Sequence, residues 1–422
     1  MINVSKLPRQ YLQSYGILTL SEFISGMLVP LATLIFFSQV TPFFSHEVTE
    51  SDKLWLYGVF ASLTQFAAMF SNPIIGSISD QIGRKRSLLI CVAGIGVLAL
   101  LAIIAIFLKN FWILLIGFII YNLVSATKVV CMASINDISE KTNKVLYVSL
   151  IQFFIGIGFM FGPLLSSHIA EASFLDAYFL WPFLVIGLGG VILGLFIGFY
   201  FKDTYMPTNK AYANQMLLWY NNIKEILKNS TLRWLVMLLI LDQAAWGGYY
   251  LFAPVIGRTH FNLSASGIGL FVSLVGVCLI IISGLVIPVL YRLFSQKIML
   301  YIACIMMLIG VVTSWVILWF EPGVITESLY WLSLFPTLLG DVMIFSLVSA
   351  LMSNAANKNI QGNVAGFIYV VATLSWSLVG LLNGYLAHLK LANAVLFPAV
   401  AVIAMSLYVI ICRNKLFNES IC

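Results

Sequence analysis

Of the 422 residues in this chain, 61% are hydrophobic and 9% are charged, and the formal net charge is +6. Soluble domains carry roughly 45–50% apolar and about 25% charged residues, so a water-soluble enzyme or binding module is excluded and the chain belongs in a lipid bilayer. A spanning helix takes about 20 mostly apolar residues, and the alternation that marks membrane strands is missing, which makes the spans helical.

In chain order the apolar runs predict twelve spans, at 13–37, 55–78, 87–108, 111–135, 145–169, 178–201, 232–257, 265–291, 297–319, 329–352, 361–386 and 391–412. The first ten residues lead into a run too long for the core of a signal peptide and lack a small-residue cleavage site, so the first span is expected to stay. The long connection at 202–231 divides the chain into an N-terminal half, 1–201, and a C-terminal half, 232–422. The expected fold class is an all-α polytopic membrane protein with two pseudo-equivalent six-helix halves. Within the connection, Met216, Tyr220, Ile223 and Leu227 recur at helical spacing, with Asn221, Lys224, Glu225 and Lys228 on other faces. This predicts an amphipathic helix on the inner membrane surface.

With a cytoplasmic N-terminus, only Lys53, Lys109, Arg258 and Lys390 fall on outer segments and Lys128 falls inside a span; the other 17 of the 22 Lys and Arg lie on inner segments. That bias puts both termini in the cytoplasm and the chain in the inner, or plasma, membrane. Dispersed over the inner loops, the basic residues report topology and not a nucleic-acid footprint. His46, His168, His260 and His388 are scattered one per loop, and the cysteines show no paired spacing, so no metal site, disulfide framework or cofactor is expected. No nucleophile and base are set out as an enzyme would need.

Residues 71–86, SNPIIGSISDQIGRKR, set Gly76, Asp80, Gly83 and Arg84 in a charged, glycine-punctuated turn between the second and third spans. In the fifth span, Gly158 and Gly162 form a close-packing face and Pro163 favours a kink. The first pattern resembles the loop between helices 2 and 3 of the major facilitator superfamily. The second, followed by Ser166 and Ser167 where the pattern has glycines, resembles the helix 5 motif of that family's drug:proton antiporters, including tetracycline and multidrug exporters. The resemblance implies that Asp80 faces the start of the eleventh span near Gln361 and Gly362. It also implies that Arg84 completes a charge network with Asp137, forming a latch that breaks when the cytoplasmic side opens.

An ionisable side chain at membrane depth costs at least about 2.5–3.5 kcal/mol and is rarely idle. Glu22, Lys128, Asp242 and Asp341 lie in the first, fourth, seventh and tenth spans. At about 1.5 Å of rise per residue, Glu22 and Lys128 share a depth where they can pair. Asp242 and Asp341 share another, roughly 15 Å in, which suggests coupled protonation. Trp246, Tyr249 and Tyr250 follow Asp242 and would suit an apolar or cationic substrate. By resemblance Glu22 corresponds to the helix 1 acid of several drug exporters, and Asn122 stands where the family's helix 4 motif carries an Arg. Lys128, six residues on and about 240° further round an ideal helix, does not simply replace that Arg.

The expectation is a monomeric secondary transporter working by alternating access, with its substrate between the first, fourth, seventh and tenth spans. Export of a small organic compound in exchange for protons is the first reading. Proton-coupled uptake of a nutrient such as an amino acid, sugar or siderophore is the alternative, and a non-transporting receptor or scaffold is a third.

Overall fold

A computed structural model describes residues 9–37, 43–44, 48–138, 144–172, 179–204, 228–355 and 361–416. The expected amphipathic helix at Met216 to Leu227 lies outside the described residues, as does His46. Among the described residues, twelve helical segments are long and apolar enough to cross a membrane. They are built from α1 (Arg9–Phe37), α2 (Glu50–Ile82), α3 (Arg84–Leu108), α4 (Phe111–Val124) with α5 (Thr127–Ile138), α6 (Lys144–Ala172) and α7 (Leu180–Tyr200). After the long connection come α8 (Ser230–Thr259), α9 (Ala265–Ile281), α10 (Ile287–Leu293), α11 (Gln296–Val316), α12 (Val324–Ala355), α13 (Gln361–Leu389) and α14 (Leu396–Leu416). One π-helical turn, Ile282–Val286, joins α9 to α10 inside the eighth span.

Two features differ from the sequence expectation. The turn expected within 71–86 is almost wholly helical: α2 runs to Ile82 and α3 starts at Arg84, leaving Gly83 as a one-residue elbow with φ 94°. A helix satisfies its own backbone groups, so the polar stretch beyond the apolar run extends it readily, and only a glycine reverses the chain at positive φ without strain. The fourth span, expected as one helix over 111–135, is broken. Ser125, at φ −80° and ψ 68°, forms an inverse γ-turn in which the Ala126 amide donates to the Val124 carbonyl at 2.9 Å. Ser125 and Thr127 flank the break with hydroxyls that compete for backbone groups. Asn122 and Lys128 therefore stand on different helices, and the rotation of about 240° expected between them on one ideal helix does not hold.

By contacts the chain forms two compact units, one of Met1–Ser45, Phe70–Ala211 and Ser264–Ile280, the other of His46–Met69, Tyr212–Leu263 and Ile281–Cys422. Helix α2 and the eighth span each contribute to both.

In the first unit α1 lies along α6. The Thr19 hydroxyl donates to the Phe154 carbonyl at 3.2 Å, and the rings of Tyr15 and Phe154 stack with centroids 4.4 Å apart. The approach depends on Gly158 and Gly162, whose missing Cβ atoms would overlap the Thr19 and Phe23 carbonyl oxygens. Pro163 sits within an unbroken α6 and meets α1 at Gly26. On another face of α6, Gly156 lies against Gly276 of α9. Gly162→Ala is expected to cost about 1–3 kcal/mol, as overpacking against rigid backbone does. Gly198→Ala, whose added carbon meets nothing within 4 Å, is expected to be neutral or slightly stabilising. Melting curves of the two purified variants check the contrast, and equal melting points would mean that α1 and α6 are not closely packed.

In the second unit most of α8 is buried among α12, α13 and α14, with Met237 and Ile240 left exposed. The first part of α2 crosses α13 at Gly58 and Gly384, where neither position has room for a Cβ, and the hydroxyls of Ser62 and Ser377 lie 3.2 Å apart beside the crossing.

Candidate functional site

Each unit carries a polar cluster. In the first, Arg84 is 5% exposed and its guanidinium is fully engaged. Nε and Nη2 donate to the two carboxylate oxygens of Asp137 at 2.8 and 3.3 Å, and Nη1 donates to Asp80 at 2.6 Å and to Ser79 Oγ at 2.8 Å. The planar fork matches a carboxylate in this bidentate way, which a lysine cannot do. The structure thus brings Asp80, Arg84 and Asp137 together, with Gly83 as the elbow that aims Arg84 and Gly76 one turn before Asp80, near Val129 of α5. The side chains of Gln361 and its neighbours, toward which Asp80 is expected to face, lie outside the described residues.

Sequence reasoning missed Asp203. Its carboxylate accepts from the Arg84 and Lys85 backbone amides at 3.0 and 3.2 Å, capping α3 from a point 119 positions away along the chain. The neighbouring Thr204 hydroxyl donates to Asp137 at 3.3 Å. An acid at a helix start satisfies orphan amides and the dipole together. Only the charge beside the end of the sixth span could have hinted at this.

The break in the fourth span organises the rest of this cluster. Cys91 of α3 lies within hydrogen-bond reach of Ala126 and Thr127 at the break. The hydroxyls of Ser25 and Tyr121 lie 2.7 Å apart, joining α1 to the end of α4. Glu22, part-buried on α1, is within electrostatic reach of Lys128 on α5 and of Tyr121. Asn122 turns back on its own helix, its Nδ2 donating to the Phe118 carbonyl at 2.8 Å.

The second unit holds Asp242 of α8, 0% exposed, and Asp341 of α12, 7% exposed. Gln243 joins them: its Nε2 donates to Asp242 Oδ2 and to Asp341 Oδ1, both at 2.9 Å. Its Oε1 in turn accepts from the indole Nε1 of Trp376 on α13 at 3.1 Å. The other oxygen of Asp242, Oδ1, is buried with no hydrogen-bond partner among the described residues. Beside this group the rings of Trp246 and Tyr250 stack at 5.2 Å, and Tyr250 meets Trp376 at 5.6 Å. Tyr249 continues into a hydroxyl chain, 3.1 Å from Ser333 Oγ, which accepts from Ser314 at 2.8 Å. Neither Gln243 nor Trp376 stood out in the sequence, since an amide and an indole inside an apolar run carry no charge to mark them.

Among the described residues, twelve helices long and apolar enough to cross a bilayer, with Asp242 and Asp341 buried among them, mark a multi-pass membrane protein. The chain matches the Major Facilitator Superfamily model over residues 15–380 and belongs to that family. It is 26% identical over 257 residues to the tetracycline resistance protein, class H, of Pasteurella multocida, in an alignment covering 59% of this chain and 61% of that one. The match thus spans about three fifths of that relative's length. Among solved structures, its fold is shared with a POT family transporter in complex with 5-aminolevulinic acid, at a TM-score of 0.75, 13% identity and 96% coverage of each chain. A D-xylose-proton symporter also shares it, at 0.68, 16% identity, 92% of this chain and 96% of that one.

Proposed function

We propose that this protein is a proton-coupled exporter of a small, ring-bearing organic compound, open to one side of the plasma membrane at a time, with both termini in the cytoplasm. The observation that carries the reading is the buried pair of Asp242 and Asp341 on one amide. Two like charges that close repel by roughly 3 kcal/mol even at an effective dielectric of about 20, on top of the cost of burying each. A proton taken up by the pair removes that repulsion, and Asp242 Oδ1, without a partner, is the oxygen left to carry it. Substrate movement then couples to whether the pair holds its proton. The rings of Trp246 and Tyr250 beside the pair supply an apolar wall for the substrate. Within the first unit, Glu22, near Lys128, and Asn122 are read as further polar groups of the substrate and proton pathway. The Arg84, Asp80 and Asp137 network serves as the latch of one conformational state, and the helix contacts of Gly158, Gly162 and Pro163 as the packing face that moves with it. The two chain halves, 1–201 and 232–422, are read as pseudo-equivalent, and the working form as a monomer.

The name of the Pasteurella multocida relative makes tetracycline the first probe. Proteoliposomes with an acidic lumen are expected to accumulate it while the gradient lasts and to lose it when a protonophore is added. Accumulation only in vesicles with an alkaline lumen is the symport result and would overturn export.

A further inference from the structure

We propose that Gln243 is the positioning residue that makes Asp242 and Asp341 one proton-binding unit, and that Trp376 fixes its amide and ties it to the aromatic wall. This rests on the reading of the two acids as the proton-carrying groups. Consecutive residues of a helix point about 100° apart, so Gln243 does not face Asp341 merely by following Asp242. Its chain must fold so that one nitrogen reaches back to Asp242 on α8 and across to Asp341 on α12. The Trp376 indole holds that conformer by donating to Oε1 from the opposite side. The amide orientation is fixed chemically, because the flipped form would set an NH₂ against an indole N–H and a carbonyl against two carboxylates. With Gln243 4% exposed, a mispaired amide there would be costly.

Trp376 is itself pinned. Its ring fills the space beside Gly247, where a Cβ would come within 2.6 Å of Cδ1, and it packs on Tyr250. A change in the charge of either acid therefore changes the pull on the Gln243 amide, and through it the indole that borders Trp246 and Tyr250. Among the described residues, Cys304 of α11 is a further titratable group within electrostatic reach of Asp242. Asp341 is the facing group from α12, while α13 contributes the indole of Trp376.

Infrared difference spectra between acid and alkaline pH, recorded on the purified full chain, test both levels. The C=O band of a protonated carboxyl rises in frequency when an N–H donor to it is removed. Gln243→Leu is expected to move the Asp242 and Asp341 bands upward and to lower gradient-driven tetracycline accumulation by about tenfold or more. Trp376→Phe, which keeps the amide but frees it, is expected to broaden the same bands. Melting curves show that each variant is folded, and Trp376→Phe provides the test if Gln243→Leu does not fold. If neither Asp242→Asn nor Asp341→Asn removes a band from the folded protein, the acids do not exchange protons and the underlying reading fails. If those bands exist but keep their frequency and width in Gln243→Leu and Trp376→Phe, the acids stand as carriers and the positioning role of Gln243 is overturned.

Discussion

Asp242→Asn is expected to abolish gradient-driven transport, lowering its rate by about 100-fold or more, while the protein stays as stable as the wild type or becomes more so. The two halves of this expectation have one cause. Asn has nearly the shape of Asp, and with its amide oxygen placed where Asp242 Oδ2 stands it accepts the same hydrogen bond from Gln243, so packing and the amide network survive. What is lost is one of two like charges buried on one donor, and removing it relieves repulsion instead of opening a hole. A residue placed for stability would show the opposite pattern, losing melting temperature along with activity. Strain held at a working site and released by a conservative substitution is the common trade between stability and activity. Asp242→Glu keeps a carboxyl but lengthens it inside a closed space, so partial transport with lowered stability is expected. Transport rates and melting temperatures on the same preparations decide between these patterns.

Arg84→Ala is expected to lower stability by breaking the ion-pair network at the start of α3. Breaking a fully buried ion pair costs roughly 3–5 kcal/mol. Here Asp80 keeps 57% and Asp137 19% of its side-chain exposure, so part of that cost is returned by water and a loss of about 2 kcal/mol is expected. Arg84→Lys restores the charge but not the fork, and recovers only part of the loss. Because Asp203 holds the Arg84 and Lys85 amides through backbone, it keeps capping α3 in either variant. Thermal unfolding of wild type, Lys and Ala variants at low and high salt measures the series. If Lys matched Arg, the bidentate contact with Asp137 would not matter to stability.

Much of this was legible in the sequence because the bilayer imposes it. The solvent demands about 20 apolar residues per crossing, and charges that violate the demand stand out, so the spans, Asp242 and Asp341 could be read from composition and position. The pairing of Arg84 with Asp137 came from the motif between the second and third spans. What escaped was geometry that apolar composition does not encode. The γ-turn at Ser125 lies in a run that must be apolar whether or not it is helical, so only the hydroxyls of Ser125 and Thr127 mark it. Gly83 as a single-residue elbow was hidden because the polar residues before it suit a loop and a helix equally. Gln243 and Trp376 required the rotational phase of three helices, and Asp203 required knowing that the end of the sixth span returns to the start of the third.

Whether substrate moves against protons carried by Asp242 and Asp341 is tested most directly by lumenal pH in acid-loaded proteoliposomes, followed with a trapped pH-sensitive dye on adding tetracycline. Tetracycline is expected to drive lumenal alkalinisation in the wild type, and the signal is expected to vanish in the folded Asp242→Asn, Asp341→Asn double variant. A proton signal of undiminished size in that double variant would contradict proton transport by this pair.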